Sequence, residues 1–215
     1  MSENIILKIV ILGASTVGKT SIFIRYFQKE FKTTITSVGV DFKPKFFKLE
    51  GEKIKVNYID TAGQEKFKSI SQNYLKSTDG VILVFDITNK ETLDLINYWE
   101  DFINKNSKPN IGKILFGNKL DLADNREVEY EEGKNLANKL KCKYYEGSAK
   151  TGENIEFIMN EIAKITYFEY KKTEENRQTL RLSSSGNIEM MTHRKKCVVK
   201  NNFFVRIIFI CFIYL

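Results

Sequence analysis

The sequence predicts an α/β fold: a mostly parallel six-stranded sheet with one antiparallel edge strand and helices on both faces. Three observations carry this. Short apolar runs alternate with helical patterns along residues 1–170, the arrangement in which crossover helices cover a parallel sheet. The runs Ile5–Leu12, Gly80–Asp86 and Gly112–Gly117 are apolar at most positions rather than at every second one, as strands covered on both faces require. One run with a proline inside it is followed at once by a turn signal and a second run, which reads as a hairpin at the sheet edge.

Each element follows in order. Ile5–Leu12 (IILKIVIL) is a buried strand, and a glycine loop leads from it into helical spacing over Thr20–Phe27. Asp41–Leu49 and Lys53–Ile59 are strands joined by Glu50-Gly51-Glu52. Pro44 has no N–H to give a ladder, so Asp41–Leu49 belongs at an edge. Gly80–Asp86, Gly112–Gly117 and a short run at Tyr144–Gly147 complete the strands. Helical patterns cover Ser69–Ser77, Glu91–Lys105, Tyr130–Lys141 and Ile155–Phe168. From Lys171 to Asn202 the chain turns polar and loses periodicity, which reads as a flexible linker. Phe203–Leu215 is apolar except for Arg206.

The charge is unevenly spread. The 215 residues carry a net charge of +7, which by itself suggests nucleic acid or an acidic membrane. Residues 1–170 hold 25 basic and 24 acidic side chains, and residues 171–215 hold 9 and 3. The folded part is therefore almost neutral and argues against nucleic-acid binding. Three cysteines are too few and too scattered for a disulfide framework or a metal site. No secretory signal opens the chain, and Ser2 excludes N-myristoylation. His193 is the single histidine and lies in the tail, so histidine-based catalysis is not expected.

Four segments carry chemistry. Gly13-Ala14-Ser15-Thr16-Val17-Gly18-Lys19-Thr20 fits G-x-x-x-x-G-K-[ST] between a strand and a helix, the context a phosphate-binding loop needs. Its backbone N–H groups would converge on a β-phosphate, Lys19 would bridge β- and γ-phosphates, and the Thr20 hydroxyl would ligate Mg²⁺. Taken alone, the pattern also fits a plain glycine turn. Asp60-Thr61-Ala62-Gly63-Gln64-Glu65 follows a strand; Asp60 there can hold Mg²⁺ through water or merely cap a helix. Asn118-Lys119-Leu120-Asp121 also follows a strand. A carboxylate in it can accept from N1–H and the 2-amino group of guanine, two donors that adenine lacks; alone, such a segment is a plain polar turn more often than a base pocket. Ser148-Ala149-Lys150 is the weakest signal by itself. In the order phosphate, magnesium, base, base, the four make chance agreement negligible.

With these motifs the chain resembles the Ras superfamily of small GTPases, and its Rab branch in particular, over roughly residues 5–170. Val38-Gly39-Val40-Asp41-Phe42, Lys66-Phe67-Lys68-Ser69-Ile70 and Leu83-Val84-Phe85-Asp86-Ile87-Thr88 are similar to segments that separate Rab proteins from Ras and Rho. The resemblance implies a Ras-like P-loop G domain over residues 1–170 that hydrolyses GTP to GDP slowly. It implies nucleotide contacts from Ser15, Thr16, Val17, Gly18, Lys19, Thr20, Ser21, Phe31, Ser37, Gly63, Asn118, Lys119, Asp121, Ser148, Ala149 and Lys150. It assigns Mg²⁺ to Thr20, Ser37 and Asp60, and catalysis to Gln64 and Lys19, with Gln64 orienting the attacking water. Exchange factors, activating proteins and effectors would be partners of a monomer on the cytoplasmic face of an endomembrane, with a cytosolic pool, in vesicle traffic. A nucleotide-bound scaffold that barely hydrolyses is the alternative.

Three departures stand out. Ser37 takes the place of the family's switch-I threonine in a loop one residue short, where Thr36 is the other candidate. Ile59 replaces a tryptophan just before the DTAGQ motif. Thr16 replaces a small residue in the phosphate loop. Beyond the G domain, residues 171–202 are expected to be a flexible basic hypervariable tail, and 203–215 an apolar C-terminal segment. His193-Arg194-Lys195-Lys196-Cys197 is similar to a prenylated ending, yet 18 residues follow it. Two readings stay open: a protein that ends near Cys197 and is prenylated there, or an unlipidated interfacial anchor formed by Phe203–Leu215.

Overall fold

The computed structural model describes residues 5–31, 40–61 and 75–184, without the side chains of residues 40, 61 and 181–184. The chain divides into two units, residues 1–170 and 171–215.

In the first unit, β1 (Ile5–Leu12), β2 (Val40–Leu49), β3 (Glu52–Thr61), β4 (Gly80–Asp86), β5 (Gly112–Asn118) and β6 (Lys143–Glu146) form one sheet in the order β2-β3-β1-β4-β5-β6. All pairings are parallel except β2 with β3. Both the edge position of β2, with Pro44 opposite Asn57, and the expected hairpin are found. Leu49 pairs with Glu52 across the two-residue turn Glu50-Gly51, whose φ values are 49° and 83°, as a type I′ connection requires.

The apolar runs explain the layers. All seven residues of β4 are buried. One face of the sheet packs Leu7, Ile9, Ile11, Tyr58, Ile114 and Phe116 against Phe23 of α1 (Lys19–Gln28) and Ile158 and Ile162 of the last helix. The opposite face packs Val10, Leu12, Leu83 and Phe85 against Trp99, Ile103 and Ala137. These come from α3 (Ile96–Asn106) and α4 (Tyr130–Lys139), with the short α2 (Lys90–Asp94) preceding them.

Strand ends moved by at most two residues, β3 running Glu52–Thr61 and β6 Lys143–Glu146, and helices differ by more than a residue in three places. The pattern over Glu91–Lys105 is split at Leu95, which keeps helical dihedrals (φ −67°, ψ −13°), so α2 and α3 continue one another. The expected helix to Lys141 stops at Lys139, because Lys141 turns left-handed (φ 54°) and the Cys142 N–H closes back on the Ala137 carbonyl. The last helix, α5 (Ile155–Ser184), runs well past Phe168 over residues expected to be linker. Loss of the apolar stripe after Tyr170 marks exposure rather than the end of the helix: no Gly or Pro occurs before Gly186. Lys, Glu, Arg and Gln propagate an existing helix cheaply. Within the second unit Arg177 pairs with Glu174 at 2.7 Å and the Thr179 hydroxyl donates to the Glu175 carbonyl.

The Ser69–Ser77 pattern lies largely outside the described residues, Leu75 and Lys76 being helical. Among the described residues no helix is long and apolar enough to cross a membrane. Ser37, Thr36, Gly63, Gln64 and Cys197 also fall outside them.

Candidate functional site

Because β1, β3, β4, β5 and β6 run parallel, their C-terminal ends share one edge of the sheet. The chain leaves β1 towards β3 on one side and later crosses to β4 on the other, which opens the crevice where such sheets bind ligands. The Gly13–Gly18 loop, Asp60, Asn118–Asp121 and Ser148–Lys150 all lie along this edge.

The phosphate loop is pressed onto the sheet. A Cβ on Gly13 would lie 2.1 Å from the Val84 carbonyl oxygen, and one on Gly18, the α1 N-cap at φ 96°, would lie 2.3 Å from Asn118 Nδ2. Only glycine permits that approach. The Val17 side chain is fully buried, so of this residue only the backbone faces the loop's interior. Thr16 adopts φ 65° and is exposed, a left-handed conformation that β-branching disfavours. Lys19 is 4% exposed, and its Nζ donates to the Gly13 carbonyl at 2.8 Å and to that of Ala14. Its ammonium is thus folded back over its own loop, and α1 carries no acid in its first turn to offset the positive helix end.

Asp60, the penultimate residue of β3, is 2% exposed, with Oδ1 lacking any hydrogen-bond partner. Burial raises its pKa, partly offset by the hydrogen bond with Thr20 and the Lys19 ammonium, and Asp41 opposite raises it further. A buried orphaned carboxylate oxygen beside a threonine hydroxyl suits a hard cation with oxygen ligands, so these residues fit Mg²⁺.

The base-side loops are cross-braced. Asn118 Nδ2 donates to the Val17 carbonyl (2.8 Å), and its Oδ1 accepts from the Ala149 N–H (3.0 Å). Asn118 therefore ties the phosphate loop to the Ser148–Lys150 loop. Lys119, at φ 70°, pairs through Nζ with Asp86 Oδ2 at 2.5 Å. Ser148 is fully buried; its hydroxyl donates to Asp121 Oδ1 and accepts from the N–H groups of Lys150 and Thr151. Lys150 Nζ stands 3.5 Å from Asp121 Oδ2. The carboxylate is thus aimed by two partners and keeps capacity for a base with two donors. Phe31 follows Lys29, the left-handed closure of α1, by two positions and is 40% exposed.

Sequence reasoning missed three supports. Arg25 bonds three backbone carbonyls, two of them 124 and 125 residues away, and no local pattern announces it. Asp86 accepts from the Thr88 N–H and hydroxyl as well as from Lys119; an acid ending an otherwise apolar strand was the available signal. Arg126 forms a bidentate pair with Glu146 at 2.9 and 2.6 Å, directly before the Gly147-Ser148 turn. The Tyr144 hydroxyl joins that pair, and burial together with Glu146 holds this phenol far above its usual pKa, so it remains a donor.

The arrangement offers converging donors to a polyphosphate, oxygen ligands to a divalent cation and an aimed carboxylate to a purine. Comparison with known proteins agrees. The Ras family model matches residues 8–167. The GTP-binding protein ypt2 of Schizosaccharomyces pombe is 33% identical over 199 residues, covering 91% of this chain and 98% of that protein. The Ras-related protein Rab-8B of Bos taurus is 34% identical over 200 residues, with 92% and 93% covered. The Ras-related protein Rab-1 of Theileria annulata is 36% identical over 189 residues, with 87% and 86% covered.

Proposed function

The chain belongs to the Ras family of small GTPases, in its Rab branch, and from that premise we propose that it alternates between GTP- and GDP-bound states to recruit effectors in vesicle traffic. Hydrolysis of GTP to GDP is the activity of that family. The reading is carried by one observation: the phosphate loop, Asp60, Asp121 and the Ser148–Lys150 loop share one sheet edge, and Asn118 and Ser148 tie the phosphate loop, Asp121 and the Ser148–Lys150 loop together.

In this reading the N–H groups of Ser15 to Thr20 and the Lys19 ammonium cradle the β- and γ-phosphates. To do so, Lys19 exchanges the Gly13 and Ala14 carbonyls for phosphate oxygens. Thr20, Ser37 and Asp60 would hold Mg²⁺, which would supply positive charge to neutralise the phosphates. Gln64 orients water in line with the γ-phosphorus, and the Gly63 N–H holds a γ-phosphate oxygen. Water adds as the bond to the β-phosphate oxygen breaks, leaving GDP and inorganic phosphate; positioning and charge stabilisation do the work, with no covalent intermediate. Loss of the γ-phosphate releases the segments around Ser37 and Gln64. Asp121 accepts from N1–H and the 2-amino group of guanine, while Phe31 packs edge-on to the base. The basic tail, with prenylation at Cys197, supplies the membrane address on the cytoplasmic face of an endomembrane, and exchange factors and activating proteins drive the cycle of a monomer.

Metal removal tests this assignment. In the full chain, excess EDTA is expected to speed GDP release at least tenfold, and in Asp60→Ala by less than twofold. Equal acceleration in both would remove Asp60 from the metal site.

A further inference from the structure

Arg25 lies six residues into α1 from Lys19, on the helix that starts at the phosphate loop. Its guanidinium donates from Nε to the Ala149 carbonyl at 2.8 Å, from Nη2 to the Lys150 carbonyl, and from Nη1 to the Lys29 carbonyl at 3.0 Å. The first two carbonyls belong to the loop whose Ser148 hydroxyl aims Asp121. The third belongs to the residue that closes α1 two positions before Phe31. Gly152, at the far end of that loop, is also close: a Cβ built on it would meet Arg25 Cδ at 3.6 Å. Three acceptors around one planar group need the guanidinium fork; an ammonium on a flexible stem would hold fewer of them. Among the described residues Arg25 has no carboxylate partner, so its charge is spent on loop carbonyls rather than on an ion pair.

We propose that Arg25 is a positioning residue for the nucleobase. It pins the Ser148–Lys150 loop and the approach to Phe31 onto α1, and so sets how fast guanine nucleotide leaves and how strictly the base is read. The proposal rests on the nucleotide-binding reading above. Because the same helix begins at the phosphate loop, Arg25 fixes the base subsite relative to the phosphate subsite through one rigid element. Cutting its bonds frees the loop that aims Asp121 and leaves Lys19, Thr20 and Asp60 in place, so the loss falls on base contacts.

The test compares release of GDP and of inosine diphosphate, which lacks the 2-amino group, from the full chain. In Arg25→Ala, GDP release is expected to speed up at least tenfold. The preference for GDP over inosine diphosphate should shrink at least threefold, while the acceleration caused by EDTA stays as in the native protein. Arg25→Lys, which keeps the charge and some of the donors, should fall between the two, and it carries the comparison if Arg25→Ala does not fold. GDP release within twofold of native, or equal acceleration of both nucleotides with the preference intact, would overturn the proposal; the second result describes a general loosening of the fold. A native chain that retains no GDP would overturn the nucleotide-binding reading and this proposal with it, a failure visible before any variant is made.

Discussion

Thr16 holds φ 65° in the phosphate loop, a conformation that costs a non-glycine residue about 1–2 kcal/mol. Thr16→Gly relieves this but adds about 0.5–1 kcal/mol of chain entropy to be lost on folding. The net gain is expected to raise the melting temperature of the GDP-saturated protein by about 1–4 °C; a fall would show that the threonine is accommodated without strain. At the other end of the site, Asp121 is aimed by the Ser148 hydroxyl and Lys150. Asp121→Asn replaces an acceptor with an amide donor facing the guanine 2-amino group, leaving a buried pair of donors. GDP affinity should fall by about 10²–10⁴-fold, and xanthosine diphosphate, with a carbonyl at that position, should gain. Competition binding reads both. The positions of Asp60 and Asp121 were legible at the residue level because motif and strand end coincide, Asp60 standing at the end of β3 and Asp121 three residues beyond β5, whereas Lys19 follows β1 across the whole glycine loop. Arg25 was not legible, because its acceptors are main-chain carbonyls more than a hundred residues away and a carbonyl has no sequence signature.

The strands were the most legible elements. Runs such as Gly80–Asp86 leave no polar face, so burial on both sides, and with it a parallel sheet, follows directly. Pro44 fixed the edge, and Gly51 marked the hairpin. Helix ends were harder to read. Lys141 stops α4 by adopting a left-handed conformation that nothing in its side chain announces. α5 continues to Ser184 because helix formers need no apolar stripe to propagate a helix already packed at Ile158 and Ile162. The β6 end depends on the Arg126–Glu146 pair, whose side chains are 18% and 7% exposed. Arg126→Ala would leave the carboxylate buried with Tyr144 as its donor and should destabilise the protein by about 2–4 kcal/mol. Adding Glu146→Gln removes the uncompensated charge and should restore at least half of the loss in chemical denaturation. No recovery would mean that Arg126 acts through packing alone.

At the scale of the whole molecule, the excess charge and the candidate ligand loops belong to different parts of the chain. Residues 1–170 are nearly neutral while residues 171–215 carry nine basic side chains against three acidic ones, so basicity belongs to the tail. The domain places its ligand loops along a single sheet edge. Hydrogen bonds from Asn118, Ser148 and Arg25 tie those loops and α1 to one another. The central claim is that this edge holds a guanine nucleotide and turns it over. The direct measurement loads the full chain with GTP, denatures samples over time and separates the released nucleotide by chromatography. The account predicts about one guanine nucleotide per chain and first-order conversion of GTP to GDP, with a rate constant on the order of 10⁻⁴ s⁻¹ in the absence of an activating protein. No retained guanine nucleotide, or bound GTP unchanged after a day, would contradict it.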